Sequence, residues 1–234
     1  MFYFSVSLYA MSASFRLPES HTYQQTLPLP PLTALIGMAG AALGLNFADA
    51  MKLREYGLRC GVWGKHLGEA KDLWKYTKIK SGEIIPAVLT REIITDLKLL
   101  IIYALDDFRE LEKIRKAFCF PTFALTAGTS DDLVKISNIS NIVESEPMLI
   151  EHVENTVLPG DHSLNYAVDI DINTLIKKRT VYAPRVFLLP TSFIFIGEER
   201  RIKHRDLFTF VDVPVTLKQP VTGVITENKA VPLL

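Results

Sequence analysis

Residues 2–10 alternate, with Phe2, Phe4, Val6, Leu8 and Ala10 on one side and Tyr3, Ser5, Ser7 and Tyr9 on the other. A period of two predicts a strand. The pattern breaks at Pro28, Pro30 and Pro31, because the residue before a proline avoids the α region and keeps the chain extended. The run "PLTALIGMAGAALGL" follows. Proline fits the first helical turn, so a helix is predicted from Pro31 or Leu32 to Leu43, with Gly44 as the residue just past its end. Gly37, Gly40, Ala41 and Gly44 recur three and four apart within it and share one side. An interior glycine costs ~1 kcal/mol relative to alanine. The missing Cβ serves close approach, either of another backbone or of a sugar-phosphate chain.

Asn46 to Gly82 reads as a polar, basic excursion that carries Trp63 and Trp74. Val88–Leu105 predicts two strands with a turn near Asp96. "DFRELEKIRKAF" predicts a helix: Asp107 caps it, Glu110 holds the capping-box position, and Phe108, Leu111, Ile114 and Phe118 share a face. "PTFALTAGTSDDLVKISNI" predicts strand, a Gly-Thr-Ser-Asp turn, and strand again. The order β, α, excursion, β, β, α, β is the split β-α-β-β-α-β or ferredoxin-like pattern of an α+β protein. Past residue 144 the prolines of "VYAPRVFLLPTSFIFIG" suit strand starts, edges or bulges. The expectation is a core over 1–144 with a basic insertion at about 46–82, and a β-rich C-terminal subdomain over 145–234.

The chain has 234 residues, 48% of them hydrophobic and 22% charged, which describes an ordinary globular protein with a sizeable core. Its formal net charge of zero argues against a generic nucleic-acid sponge. The zero conceals segregation, however. Lys52, Arg54, Arg59, Lys65, Lys71, Lys75, Lys78 and Lys80 gather in one stretch, and Lys177, Lys178, Arg179, Arg185, Arg200, Arg201, Lys203 and Arg205 in another. Between Ser137 and Asn173 there is no Lys or Arg, while Glu144, Glu146, Glu151, Glu154, Asp161, Asp169 and Asp171 accumulate. One basic and one acidic surface follow from this, or solvated faces with no partner. Cys60 and Cys119 are the only cysteines, so no disulfide framework or zinc spacing exists. Reduced, buried thiols are expected. The apolar N-terminus lacks a positive n-region before Arg16, which argues against a signal peptide. No run reaches the ~18–20 apolar residues of a membrane span. A soluble, cytoplasmic protein without a membrane partner is expected.

"SFRLP" after the first strand, "TLPLPPLTALIGMAGAALGL", "LTREI" before a strand and "AGTSDDLVKI" after the second helix resemble the CRISPR-associated Cas family five. The resemblance covers roughly Met1 to Ile139 in order, and its most specific part is the proline-to-glycine helix. It implies a ferredoxin-like, RNA-recognition-type core and an RNA-binding subunit of a Cascade-type type I complex. Such a subunit holds the 5′ handle of the CRISPR RNA, contacts the backbone and large subunits, and meets target DNA only through the complex. In that family an excursion at this place forms a thumb-like hairpin that wedges between RNA segments.

The expected RNA contacts follow residue by residue. Ser14 and Arg16 lie beyond a strand end, where a guanidinium can reach phosphate bidentately; Arg16 could equally pair with Glu19. Gly37 and Gly40 would let the bound handle approach the helix. The turn at Gly128, Thr129 and Ser130 can offer N–H groups and hydroxyls to phosphate, or simply lead into Asp131 as a cap. Trp63, Lys65, His66, Lys71, Trp74, Lys75, Lys78 and Lys80 mix aromatics with cations, the recipe for stacking splayed bases along a charged track; both tryptophans could instead be core. The aromatic third-strand signature of RNA-recognition folds is absent, since Lys98–Leu105 reads "KLLIIYAL". The sheet face is therefore expected to be buried, with RNA on loops and helix ends.

One subtype of the family cleaves precursor RNA with a tyrosine, a lysine and a histidine. None of His21, His66, His152, His162 or His204 matches that subtype's pattern position by position, although Tyr23 is near His21 and lysines adjoin His66 and His204. Asp131 and Asp132 read as a capping pair rather than a metal site, and there is no Walker loop, Gly-x-Ser-x-Gly or zinc spacing. The expectation is a protein that is not an enzyme and needs no cofactor or metal. The alternative is a metal-independent endoribonuclease that processes CRISPR repeat RNA.

Overall fold

The N-terminal alternation becomes strand β1 (Phe2–Ala13), which buries Phe4, Val6, Leu8 and Ala10. The computed structural model describes residues 1–20, 23–80, 82–169, 182–197 and 199–234. His21, Asp171 and the Lys177, Lys178, Arg179 run lie outside the described residues, as does the Lys80 side chain. Three short strands, β2 (Phe15–Arg16), β3 (Tyr23–Gln24) and β4 (Thr26–Leu27), lead to helix α1 (Leu32–Leu43). Gly44 ends α1 in the left-handed conformation, at φ 78°.

The expected excursion is three different things. It contains helix α2 (Phe47–Glu55), capped by the Asn46 side chain, which accepts from the Asp49 N–H at 2.9 Å. Then come strand β5 (Arg59–Lys65), inside the main sheet, and β6 (Gly68–Lys80), one arm of a hairpin. The partner of both is β7 (Glu83–Leu105), a single strand of 23 residues where two strands and a turn were expected. The turn signal at Asp96 marks a real irregularity, a left-handed φ of 51°. Pairing with β1 continues on both sides of it, Thr95 opposite Ser12 and Leu97 opposite Ala10, so the strand bends without ending. Across the bend the buried positions change parity: Leu97, Leu99, Ile101 and Tyr103 share one core cluster with Ile94.

Helix α3 (Phe108–Cys119) starts at Asp107, whose carboxylate accepts from the N–H groups of Arg109 and Glu110 at 2.8 and 3.2 Å. Leu111, Ile114 and Phe118 are buried, while Phe108 stays 44% exposed, edge-on to Phe2. The segment before Gly128 forms no strand and makes only an isolated bridge between Thr126 and Leu133. After it come β8 (Val134–Ile139), β9 (Val143–Glu144), β10 (Met148–Val153), β11 (Thr156–Pro159) and β12 (Tyr166–Val168). β13 (Arg185–Ile196), β14 (Glu199–Val211), β15 (Val215–Thr226) and β16 (Lys229–Pro232) complete the chain.

The main sheet runs β13-β14-β11-β5-β7-β1-β8, with β3 and β6 also on β7. Neighbours from β5 to β8 are antiparallel. On one face α1 and α3 pack over Phe4, Leu99 and Tyr103. The buried Tyr103 hydroxyl donates to the Leu35 carbonyl at 2.9 Å, which removes the cost of an unpaired polar group. On the other face Val231 and Leu233 cover Tyr3, Ile102 and Ala104. The C-terminal region is β-rich as expected; β10, β12, β15 and β16 form a second sheet, while β11, β13 and β14 lengthen the first. Cys60 is buried, which pushes its thiol pKa up, but Cys119 is exposed, contrary to expectation. Among the described residues no single helix is long and apolar enough to cross a membrane.

The glycines of α1 divide. A Cβ on Gly40 would lie 2.3 Å from that of Ala50, so Gly40 is where α2 crosses α1, and it is buried there rather than open to a ligand. A Cβ on Gly37 meets nothing within 4 Å. Gly40→Ala is expected to cost about 1–3 kcal/mol through overpacking. Gly37→Ala is expected to gain up to ~1 kcal/mol of helix propensity. Urea unfolding of both variants checks the pair, and equal effects would contradict the crossing.

Candidate nucleic-acid interface

Three separate pieces of chain converge on an open cleft of about 670 Å³: the exit of β1 at Ser14 and Arg16, the start of α1 at Pro31 and Thr33, and the Gly128–Thr129 turn. Ser14 is fixed by its N–H, which donates to the Ala127 carbonyl at 3.0 Å, and by its hydroxyl, which donates to the Glu92 carbonyl at 3.1 Å. Arg16 is exposed and donates from Nη2 to the Ser20 carbonyl at 3.1 Å. It does not pair with Glu19, whose carboxylate is taken by Arg205. Pro31 precedes α1 without a side-chain cap, and no acid lies in the first turn. The Ala34 N–H is taken by the Pro31 carbonyl at 2.9 Å, so it is the N–H groups of Leu32 and Thr33 that form the positive end of the helix.

Gly128 is glycine for a packing reason. At φ 106° a Cβ would stand 2.0 Å from the Ser14 carbonyl oxygen, so only a bare backbone fits between the turn and β1. The hydroxyls expected to meet phosphate are largely spent inside the turn. Thr129 donates to the Asp132 carboxylate at 2.6 Å, Ser12 donates to the same buried carboxylate, and Ser130 leans toward Asp131 at 3.5 Å. What the turn offers the cleft is main chain. Ser130 does not line it.

The far wall of the cleft gave no local signal in the sequence. Phe47, the first residue of α2, and Phe193 on β13 pack edge to face at 5.2 Å and 71°. The Arg200 guanidinium lies over both rings, 4.6 and 5.1 Å from their centroids.

The hairpin of β6 and the first half of β7 stands beside this cleft, and paired residues share its two faces. One face carries Lys71, Leu73, Lys75 and Ile79 with Glu92, Val88 and Ile84 opposite. It continues toward the cleft, because Tyr23 donates to Glu92 at 2.5 Å and Lys71 lies 5.6 Å from the Tyr23 ring. The other face carries Trp74 stacked on Tyr76 at 5.8 Å and 16°, with Arg91 and Lys78. Trp63, Lys65 and His66 are not part of this hairpin. Trp63 sits in β5 against the cluster of Tyr3, Ile102, Ala104 and Val231, flanked by Lys65 and Lys229 at 5.2 and 4.7 Å. Lys65 pairs with Glu154 at 3.7 Å. His66 is half-buried with an unpartnered Nδ1.

The titratable side chains near the cleft are held by partners. The hydrogen bond to Glu92 pushes the Tyr23 pKa up to about 12, so its phenolate is not populated near neutral pH. His204 is bonded to Asp206, and His162 to the Pro159 carbonyl and Asn165. Among the described residues no three His, Cys, Asp or Glu side chains converge as a metal site.

A family model described as CRISPR-associated protein (Cas_Cas5) matches residues 5–186. A chain of a "CRISPR RNA-guided surveillance complex" superposes with a TM-score of 0.59 at 15% identity, covering 93% of this chain and 91% of the other. A CRISPR protein from Archaeoglobus fulgidus gives 0.55 at 8% identity, over 99% and 98% of the two chains. A chain of the type III-B Cmr-β complex bound to cognate target RNA and AMPPnP gives 0.50 at 10% identity, over 92% and 86%. At such identities the likeness is one of fold. No curated protein matches the chain by sequence.

The two tryptophans are expected to separate core from surface. Trp63→Ala should cost about 2–4 kcal/mol, the low side of the range for large aromatics because Trp63 is only half-buried. Trp74, 42% exposed on a two-stranded arm, should cost ~0.5 kcal/mol or less when changed to Ala. Thermal melting monitored by circular dichroism checks both, and matching losses would contradict the assignment.

Proposed function

The chain belongs to the CRISPR-associated Cas5 family through the match over residues 5–186, and we propose that it is a non-catalytic RNA-binding subunit of a CRISPR effector complex of the Cascade type. In this reading it holds the 5′ handle of the CRISPR RNA and contacts the backbone and large subunits. The observation that carries it is the convergence of Ser14, Arg16 and the Gly128–Thr129 main chain, remote in sequence, on one cleft at an uncapped helix start. A guanidinium and main-chain N–H groups are donors of the kind that position a backbone phosphate without reading bases, while Ser14, buried with its N–H and hydroxyl both engaged, fixes the wall between them. Support for the complex comes from the fold shared with chains of two CRISPR assemblies. Lys71 and Lys75 extend the cationic path from the cleft onto the near face of the hairpin.

Copurification of the chain with CRISPR RNA, followed by sequencing of the bound 5′ ends, tests the reading; a common 5′ segment is expected. Incubation with repeat RNA in EDTA is expected to leave the RNA intact, and a discrete product would favour the endoribonuclease instead. A salt titration of handle-RNA binding adds a quantitative check. Removing one cation that touches a phosphate of single-stranded RNA flattens the slope of log K against log salt by roughly 0.7. The Lys71→Ala/Lys75→Ala pair is expected to flatten it by about 1.4, whereas Lys78→Ala, on the far face, leaves it alone. The reverse pattern would place the RNA on the Trp74 side.

A further inference from the structure

We propose that Arg200, on the C-terminal β13–β14 hairpin, is the opposing jaw of the cleft and contacts a backbone phosphate of the single-stranded RNA that Arg16 meets from the other side. This deepens the RNA-binding reading above and rests on it. Arg200 lies beyond the residues that the family model matches, so its role is argued from this chain alone.

Three other basic residues of β14 have acidic partners. Arg201 grips Glu199 with two hydrogen bonds of 3.0 and 2.9 Å, His204 bonds Asp206 at 2.9 Å, and Arg205 pairs with Glu19. Among the described residues no carboxylate pairs with Arg200. Its guanidinium is instead held over Phe47 and Phe193. Cation–π packing fixes the plane of the fork and strips water from one face, while the N–H edge stays available for bidentate binding of phosphate. A guanidinium held this way loses little conformational freedom when an anion arrives.

The two jaws are mechanically linked. Glu19, three residues past Arg16, is the partner of Arg205, five residues past Arg200 on the same hairpin. The ion pair ties the loop that follows Arg16 to the strand that carries Arg200. Both arginines line one cleft together with the start of α1. A phosphodiester suits this set of donors, a guanidinium from each of two chain segments beside the positive end of a helix.

The test compares Arg200→Gln with Arg201→Gln, which removes the same charge one residue away, from a side chain already neutralised by Glu199. Binding of a short labelled single-stranded RNA to the full chain is titrated with salt, with thermal melting as the folding control. Arg200→Gln is expected to weaken binding about tenfold or more, as for the removal of a hydrogen bond between charged groups. It should also flatten the salt slope by roughly 0.7, while Arg201→Gln matches the parent. Equal slopes and affinities for the two variants, beside a parent that binds, would overturn the assignment of Arg200 alone. A parent that binds no RNA would overturn the proposed function and this inference with it. Should Arg200→Gln melt early, Arg200→Lys supplies the reading: it keeps charge and stem, and is expected to retain the slope but bind severalfold more weakly for want of the fork. Parent-like affinity of the lysine variant would count against the jaw.

Discussion

Strand β7 carries hydrogen bonds to β1 along one edge and to β5 and then β6 along the other, so the core sheet and the projecting hairpin are one backbone. Any tilt of the hairpin must be transmitted through the bend at Asp96, where the left-handed residue lets the chain turn without losing the ladder on either side. The Tyr9 hydroxyl donates to the Asp96 carboxylate at 2.6 Å and braces that bend from β1. A two-stranded ribbon is marginal by itself in water. Here it is stable because its second arm is the continuation of a buried strand.

Glu92 connects this ribbon to the cleft. Its carboxylate accepts from the Tyr23 hydroxyl and from the Thr26 N–H at 3.1 Å, and its carbonyl accepts from Ser14. One residue of β7 therefore fixes three points on the segment that carries Arg16. Placing an acid beside a proposed phosphate path looks adverse. Its charge is engaged by two donors, however, and Lys71 lies directly across the ladder on the same face.

What could be read in advance follows the range of the forces involved. β1, α1 and α3 are written in local periods and caps, and Phe4, Gly44 and Asp107 do what their neighbours in sequence imply. The unity of β7 was not legible, because Asp96 carries a genuine turn signal that only pairing with β1 overrides. Trp63 and Trp74 lie eleven residues apart in a basic stretch and look alike in composition. Only the sheet order shows that one packs into the core and the other stands on a hairpin. Ser14, Arg16 and Gly128 were legible as candidates. Arg200 was not, since what singles it out is its packing on Phe47 and Phe193, with no acid partner among the described residues, and Phe47 comes from distant chain.

The final strand then decides where a nucleic acid can lie. Gly61 has no side chain because the Pro232 carbonyl and Val231 pack onto it, with any Cβ there falling 2.5 and 2.8 Å away. The Leu234 N–H closes this packing on the Cys60 carbonyl at 2.7 Å. Val231 and Leu233 thus occupy the face that an RNA-recognition sheet would present to bases, while α1 and α3 occupy the other. With both faces of β1, β5 and β7 buried near their middles, a polyanion is confined to the rim. There the strand ends, the start of α1 and the β13–β14 hairpin bring main-chain N–H groups and guanidinium forks to one place. A rim site of this kind meets phosphates before bases. It favours holding a defined stretch of backbone over reading its sequence, and it leaves discrimination to whatever a base meets once its phosphate is held.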